Sequence, residues 1–331
     1  MTAKETTDQP SHPSLLTGLS AFPLTPITDE REDGGATGAR ASGIDDDAFT
    51  GLIQRLAAAN VDSITVLGST GSYAYLTRAE RRHVVELAVA AAGAVPVLAG
   101  IGAPRTRDVL YHAQDAQAAG AAGLLLAPVT YQPLSAEEVY QLFHDAAAEA
   151  AVPLVVYDNP GTTHFTFTDD LYARVAQLAR VSSIKIPPIV GGPDSIRTRV
   201  AALRACLPSD VTIGISGDGV AADALRAGCD TWYSVLAGTL PQACQTIVTA
   251  AAAGDHQHAQ ELSNRLMPLW DLFSRYGSYR VVSALAENLG LVKHPNLPRP
   301  VLALDTDARQ QLAAAMILMR ENGVPGLDRP V

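Results

Sequence analysis

Two runs decide the fold: "VPLVVYDNP", Val152–Pro160, and "VSSIKIPP", Val181–Pro188. Each is a short apolar, β-branched stretch that stops at Asn, Pro or another small polar residue, which marks a strand buried on both faces. The same signature recurs in "LTGLSAFPLTP" (Leu16–Pro26), "DSITVLG" (Asp62–Gly68), "VPVLAG" (Val95–Gly100), "AGLLLAP" (Ala122–Pro128), "VTIGISGDG" (Val211–Gly219) and "TWYSVLAG" (Thr231–Gly238), which makes eight runs. Ala-rich segments with helical periodicity lie between them, such as "RAERRHVVELAVAAAG", "TRDVLYHAQDAQAAG" and "SAEEVYQLFHDAAAEA". Thr77, Ser135 and Thr168 stand where helix N-caps belong, and Gly93, Gly120 and Gly228 where helices end. For most of the series the strand-to-strand spacing is about thirty residues, one βα unit each.

Eight such units by about residue 238 fit an α/β fold of the (β/α)8 TIM-barrel type. An open doubly wound sheet would carry a G-x-G-x-x-G turn after its first strand, and "PLTPITD" has none. From Thr239 onward only helical patterns remain, so the expected organisation is a flexible leader over 1–13, a barrel over 14–238 and a C-terminal helical extension over 239–331. The Gly-rich, charged and aperiodic stretch Asp29–Gly43 reads as a mobile loop.

Composition narrows the function. A net charge of −10 argues against a nucleic-acid partner, which would require a basic stripe. No apolar run reaches the ~20 residues of a membrane span, and the polar N-terminus has no signal-peptide core. Cys206, Cys229 and Cys244 are too scattered for a disulfide framework or a CxxC metal site. The expected location is the cytoplasm.

The chain has 24 Lys and Arg residues but only three lysines, Lys4, Lys185 and Lys293. Lys185 falls inside an apolar strand near its C-terminal end, the catalytic end in a barrel of this kind. Desolvation there lowers an amine's pKa, and a neutral amine attacks a carbonyl to form a Schiff base. The alternative is a lysine snorkelling to solvent. Tyr157 ends the neighbouring strand, where its hydroxyl is placed either for proton transfer or for packing. The "GSTG" turn, Gly68–Gly71, offers hydroxyls and backbone N–H groups to a carboxylate, or is simply a tight turn. "RAERR" reads as a solvated helix face. The helical histidines His83, His112, His144, His256 and His258 have no metal-site partners, so no metal is expected.

These segments resemble the dihydrodipicolinate synthase and N-acetylneuraminate lyase family of class I, Schiff-base-forming aldolases. "LSAFPLTP" is similar to the family's first strand, "LGSTGSYAYLTRAER" to its G-[ST]-T-G-E segment, "VVYDNPGTT" to its Y-N-x-P segment and "IKIPP" to its I-K-[ED] strand. "SGDG" and "YSVLAG" follow in order. The resemblance covers the chain from about Leu15 to the C-terminal helices. It implies that Lys185 forms an imine with a 2-oxo acid such as pyruvate, that Tyr157 transfers protons and that Thr70 relays to Tyr157. It further implies that Ser69 and Thr70, with their backbone amides, bind the carboxylate and that Gly217 and Tyr233 line the pocket with backbone. It places Thr130 where family members often carry a tyrosine from a neighbouring subunit, with Tyr131 beside it as a substitute one residue along.

The sequence also departs from the family pattern. Ser72 replaces the Glu after T-G. Thr162, followed by Thr163 and His164, stands where the synthases have an arginine for the second substrate's carboxylate. Ile186, Pro187 and Pro188 replace the acid after the lysine, which is expected to dry the amine's surroundings. An acceptor aldehyde with hydroxyls or an aromatic ring therefore fits better than one with a second carboxylate. His164 is a candidate acid or base, or a loop residue bonded to backbone. The expected reaction is C–C cleavage or condensation without metal or organic cofactor. Alternatives are 4-hydroxy-tetrahydrodipicolinate synthesis, sugar-acid dehydration through the same imine, or a non-catalytic 2-oxo acid sensor. By resemblance the partners are small molecules and further copies of the chain, in a dimer or tetramer.

Overall fold

The computed structural model describes residues 15–28 and 43–328. The leader expected over 1–13, and all but the last residue of the Asp29–Gly43 loop, lie outside the described residues.

Each of the eight apolar runs forms a strand: β1 Gly18–Ala21, β2 Ser63–Val66, β3 Val97–Gly100, β4 Gly123–Leu126, β5 Leu154–Tyr157, β6 Val181–Ile186, β7 Thr212–Ile215 and β8 Thr231–Ser234. All pairings are parallel and run in sequence order, and β8 pairs with β1 to close the barrel. The connecting helices are α1 Asp46–Ala58, α2 Arg78–Ala91, α3 Thr106–Ala118, α4 Ala136–Glu149, the short α5 Pro160–Thr163, α6 Asp169–Val175, α7 Pro193–Cys206, α8 Ala221–Arg226 and α9 Pro241–Ala252. Four more follow, α10 His256–Asn264, α11 Met267–Tyr276, α12 Ser278–Asn288 and α13 Thr306–Glu321.

The helix signals act as their chemistry requires. Thr77 and Ser135 each accept a bond from the third backbone N–H of their helix while Glu80 and Glu138 bond back, completing two capping boxes. Gly93, Gly120 and Gly228 take positive φ just past α2, α3 and α8, the conformation that ends a helix without a Cβ penalty. α9 packs against β1 and α8, so the outer helical layer continues past Thr239. We propose Ala253 rather than Gly238 as the end of the barrel, because the helix after β8 is needed to cover the seam where β8 meets β1.

Strand alternation divides the core in two. Outward-facing residues such as Leu19, Ile64, Ile184, Ile213 and Trp232 pack under the helices in the main apolar cluster. Inside the barrel a smaller cluster of Leu98, Leu125, Val155, Tyr157 and Tyr233 is interleaved with hydroxyls. Ser20 Oγ pairs with Thr65 Oγ1 at 2.8 Å, Ser183 Oγ with Tyr233 Oη at 2.8 Å, and the Thr231 hydroxyl donates to the Leu16 carbonyl. Gly214 makes room for this packing: a Cβ there would lie 2.1 Å from the Tyr233 ring.

One surface expectation is corrected. Arg78 and Arg82 of "RAERR" are exposed, but Arg81 is buried and donates to the carbonyls of Gly100 at 2.8 Å and Gly102 at 3.0 Å. It lies one turn along from Arg78, on the face of α2 that meets the end of β3. Among the described residues no helix is long and apolar enough to cross a membrane, and no group of three or more His, Cys, Asp or Glu could hold a metal ion.

Candidate active site

Lys185 and Tyr157 are direct cross-strand partners in the β5–β6 register, at the C-terminal ends of both strands. Alternation turns both side chains into the barrel. The lysine is 2% exposed, and its Nζ lies 3.7 Å from the centre of the Phe22 ring, 4.1 Å from that of Tyr157 and 5.6 Å from that of Tyr233. Among the described residues Nζ has no hydrogen-bond partner. Burial brings its pKa down to about 7, with the Asp218 carboxylate pulling the other way. The ring faces also favour the ammonium, so desolvation wins against two opposing effects. With that pKa about half of the amine is neutral near pH 7, against roughly one part in three thousand for an unperturbed lysine.

The rings, rather than the residues after the lysine, dry the amine. Ile186 points outward into the apolar layer under the helices, because side chains alternate along β6. Pro188 instead packs at the rim, against Gly217, whose φ of +89° and lack of a Cβ let the two segments close; a Cβ there would lie 2.5 Å from the Pro188 side chain. Phe22 is likewise seated over Gly68, where a Cβ would come within 2.6 Å of its ring.

The Tyr157 hydroxyl faces a small polar cluster. Asn159 Nδ2 donates to it at 2.8 Å, and Ser69 Oγ lies 3.5 Å away. Burial raises the Tyr157 pKa, while the bonds to Ser69 and Asn159 act against that rise. The hydroxyl nearest Tyr157 in the "GSTG" turn is thus Ser69, not Thr70, the residue expected to relay to it. Consecutive residues in a turn project to different sides, so only one can face Tyr157. Thr70 is buried beside it. The turn is held from two sides: Thr25 Oγ1 donates to the Gly71 carbonyl at 2.9 Å, and Ser72 Oγ pairs with Tyr279 Oη of α12 at 2.5 Å. The residue replacing the family's Glu therefore ties the turn to the C-terminal helices.

Three other expected residues stand apart from this cluster. Tyr131 is 92% exposed, and the hydroxyl of its neighbour Thr130 bonds to the carbonyl of Gln132. Thr162 and His164 are exposed on and just after α5, with His164 ending the helix at a φ of +56°. Tyr233 is in the barrel, but its hydroxyl points down to Ser183, so it contributes a ring wall to the site and no free proton.

Two participants were not singled out from the sequence. Asn159 carries no signal of its own within "VVYDNPGTT", and only its contact across to Ser69 and Tyr157 reveals it. Asp218 is buried at the end of β7, where its carboxylate accepts from Ser234 Oγ at 2.7 Å, Trp232 Nε1 at 3.0 Å and the Leu236 N–H at 3.3 Å. Burial raises its pKa, and these donors together with Lys185 oppose the rise. Every one of its partners is a donor, which suits a carboxylate. Its signal in the sequence is an acid in the short Gly-containing turn after a strand end.

The site can therefore present a dry, partly neutral amine, a phenol within a hydrogen-bonded cluster, and a turn with hydroxyls and N–H groups. A sequence model of the dihydrodipicolinate synthetase family matches residues 37–318. The chain is similar to the 4-hydroxy-tetrahydrodipicolinate synthases of Nitrosomonas europaea, 30% identical with 92% of this chain and 98% of that protein covered, and Methylococcus capsulatus, 32% identical with 80% and 87% covered. The crystal structure of dihydrodipicolinate synthase from Agrobacterium tumefaciens superposes with a TM-score of 0.84 at 44% identity, covering 92% of this chain and 98% of that one. With a family model matched over most of its length, the chain belongs to the dihydrodipicolinate synthetase family.

Proposed function

We propose that the protein is a Schiff-base-forming lyase that joins a 2-oxo acid such as pyruvate to an aldehyde, or cleaves the corresponding adduct. The observation that carries this reading is the buried amine of Lys185, without a hydrogen bond to any described residue and enclosed by three rings, in register with Tyr157. In this reading the neutral amine attacks the C2 carbonyl, water leaves, and loss of a C3 proton gives the enamine, which attacks the acceptor aldehyde. Tyr157 moves the protons. The Ser69–Thr70 turn, through its hydroxyls and backbone N–H groups, holds the 2-oxo acid's carboxylate opposite the lysine. Gly217 and Tyr233 shape the wall behind it.

The acceptor side supports an aldehyde bearing hydroxyls. Residues 157–168, from Tyr157 to Thr168, contain no arginine or lysine, and Thr162 and His164 are the exposed polar groups there. A threonine hydroxyl does not replace the bidentate fork that holds a second carboxylate, which argues against the synthase activity named for the relatives. Tyr131 remains a contributor only through assembly of a cytoplasmic homo-oligomer, in which its exposed ring would be covered by a neighbouring copy.

The direct test is borohydride reduction in the presence of pyruvate. It is expected to leave a carboxyethyl group on Lys185 in the peptide map; an unmodified lysine would overturn the reading. A panel of aldehydes with and without carboxylates, including aspartate semialdehyde, then separates the two acceptor classes. Preferred turnover of the semialdehyde would restore the synthase alternative.

A further inference from the structure

Asn159 sits where the chain leaves β5 for α5, and its backbone is held firmly. Its carbonyl accepts from the N–H groups of Thr162 and Thr163, both at 3.0 Å, and from the hydroxyls of Thr163 at 3.0 Å and Thr162 at 3.4 Å. Pro160, at the first position of α5, fixes the next residue. With the backbone fixed, the carboxamide reaches inward: Nδ2 donates to Tyr157 Oη at 2.8 Å and to Ser69 Oγ at 3.4 Å. This is a second role for the two threonines, which brace Asn159 rather than meet Tyr157 themselves.

We propose that Asn159 is a positioning residue that sets the direction in which the Tyr157 hydroxyl moves its proton, an inference that rests on the imine reading above. An amide N–H₂ group donates and does not accept. Its bond occupies a lone pair of the phenol oxygen, so the phenol proton cannot point to Asn159. Only Ser69 Oγ or the atoms bound at Lys185 remain as its acceptors. The proton account then closes on a single residue. Tyr157 gives its proton to the carbinolamine hydroxyl as the C2–O bond breaks. The nitrogen lone pair forms the C2=N bond, water leaves, and a phenolate remains. That phenolate takes the C3 proton, and the C–H electron pair becomes the π bond of the enamine's C2=C3 while the C=N π pair returns to nitrogen. Between the two steps the Asn159 N–H bonds to a full negative charge, where a hydrogen bond is strongest. Asn159 thereby favours the phenolate without itself exchanging a proton.

The reverse polarity, with the carboxamide oxygen toward Tyr157, would trap the phenol proton on Asn159 and is mimicked by Asn159→Asp. The experiment follows exchange of the pyruvate methyl protons in D₂O by NMR, which needs no acceptor aldehyde, alongside the extent of borohydride–pyruvate labelling at Lys185. Asn159→Asp is nearly isosteric, so a merely structural asparagine would tolerate it. The expected result is methyl exchange slowed by at least about tenfold, with labelling at saturation retained, and about 10- to 100-fold slowing in Asn159→Ala, the worth of a hydrogen bond to a charged group. Exchange at the wild-type rate in Asn159→Asp would overturn the proposed polarity. Should that variant not fold, wild-type exchange in Asn159→Ala would do the same. Absence of labelling in the wild-type chain would overturn the imine reading itself, whereas unchanged exchange with labelling intact removes only the role of Asn159.

Discussion

Two cations are buried among the described residues, and their surroundings differ in kind. Arg81, on the helical layer, lies 5.4 Å from the Tyr73 ring and donates to two backbone carbonyls at the end of β3. Lys185, inside the barrel, also lies against aromatic faces, but its amine makes no hydrogen bond to any described residue. Burial lowers both, Arg81 to about 10 and Lys185 to about 7. At neutral pH the first therefore stays charged, while about half of the second is neutral. A buried charge given acceptors is a strut, here joining α2 to the loop that flanks the "GSTG" turn. One given only rings sits close to losing its proton, which is the state a Schiff-base lysine needs.

The contrast can be broken at either end. The largest effect is expected for Lys185→Arg, because a guanidinium is never neutral in a protein: labelling by pyruvate and borohydride should vanish, and retained labelling at that position would end the argument. Next is the pH dependence of the wild-type chain. The neutral amine is the reactive form, so the initial rate of imine formation should fall about tenfold for each pH unit below about 7 and level off above it. A rate that stays flat down to pH 5 would mean the amine is not the titrating group. Arg81→Lys keeps the charge but loses the planar fork that reaches two carbonyls; it should cost about 1–3 kcal/mol in urea unfolding while labelling persists. Equal stability would make Arg81 dispensable as a strut. The smallest effect is expected for Asp218→Asn, which removes a carboxylate that supports the ammonium. The midpoint of the imine-formation profile should move to lower pH, by about one unit or less. A move to higher pH would show that Asp218 does not act on Lys185 through charge.

Much of this was readable along the chain, because the relevant signals are local. Apolar runs at regular spacing, N-cap hydroxyls and C-terminal glycines specify eight βα units without reference to any distant residue. Lys185 and Tyr157 were readable for the same reason, as each announces itself by its place at the end of a strand. Side-chain direction was less accessible. Thr70 was favoured over Ser69, and Arg81 was grouped with the exposed Arg78 and Arg82, since a one-residue step in a turn or helix changes which neighbour is faced. Ile186 was credited with drying the amine, although strand alternation sends it to the opposite side of the sheet.

The sequence by itself determined the barrel, the order of its strands and the presence of one amine at its catalytic end. These follow from periodicity and propensity, which act over a few residues at a time. Only the tertiary structure decided that Phe22, Tyr157 and Tyr233 enclose Lys185, that Asp218 balances it, and that Asn159 reaches Tyr157 and Ser69. Those contacts join residues far apart in the chain, and their distances are set by barrel closure and by which glycines leave room, as Gly68 does for Phe22 and Gly214 for Tyr233.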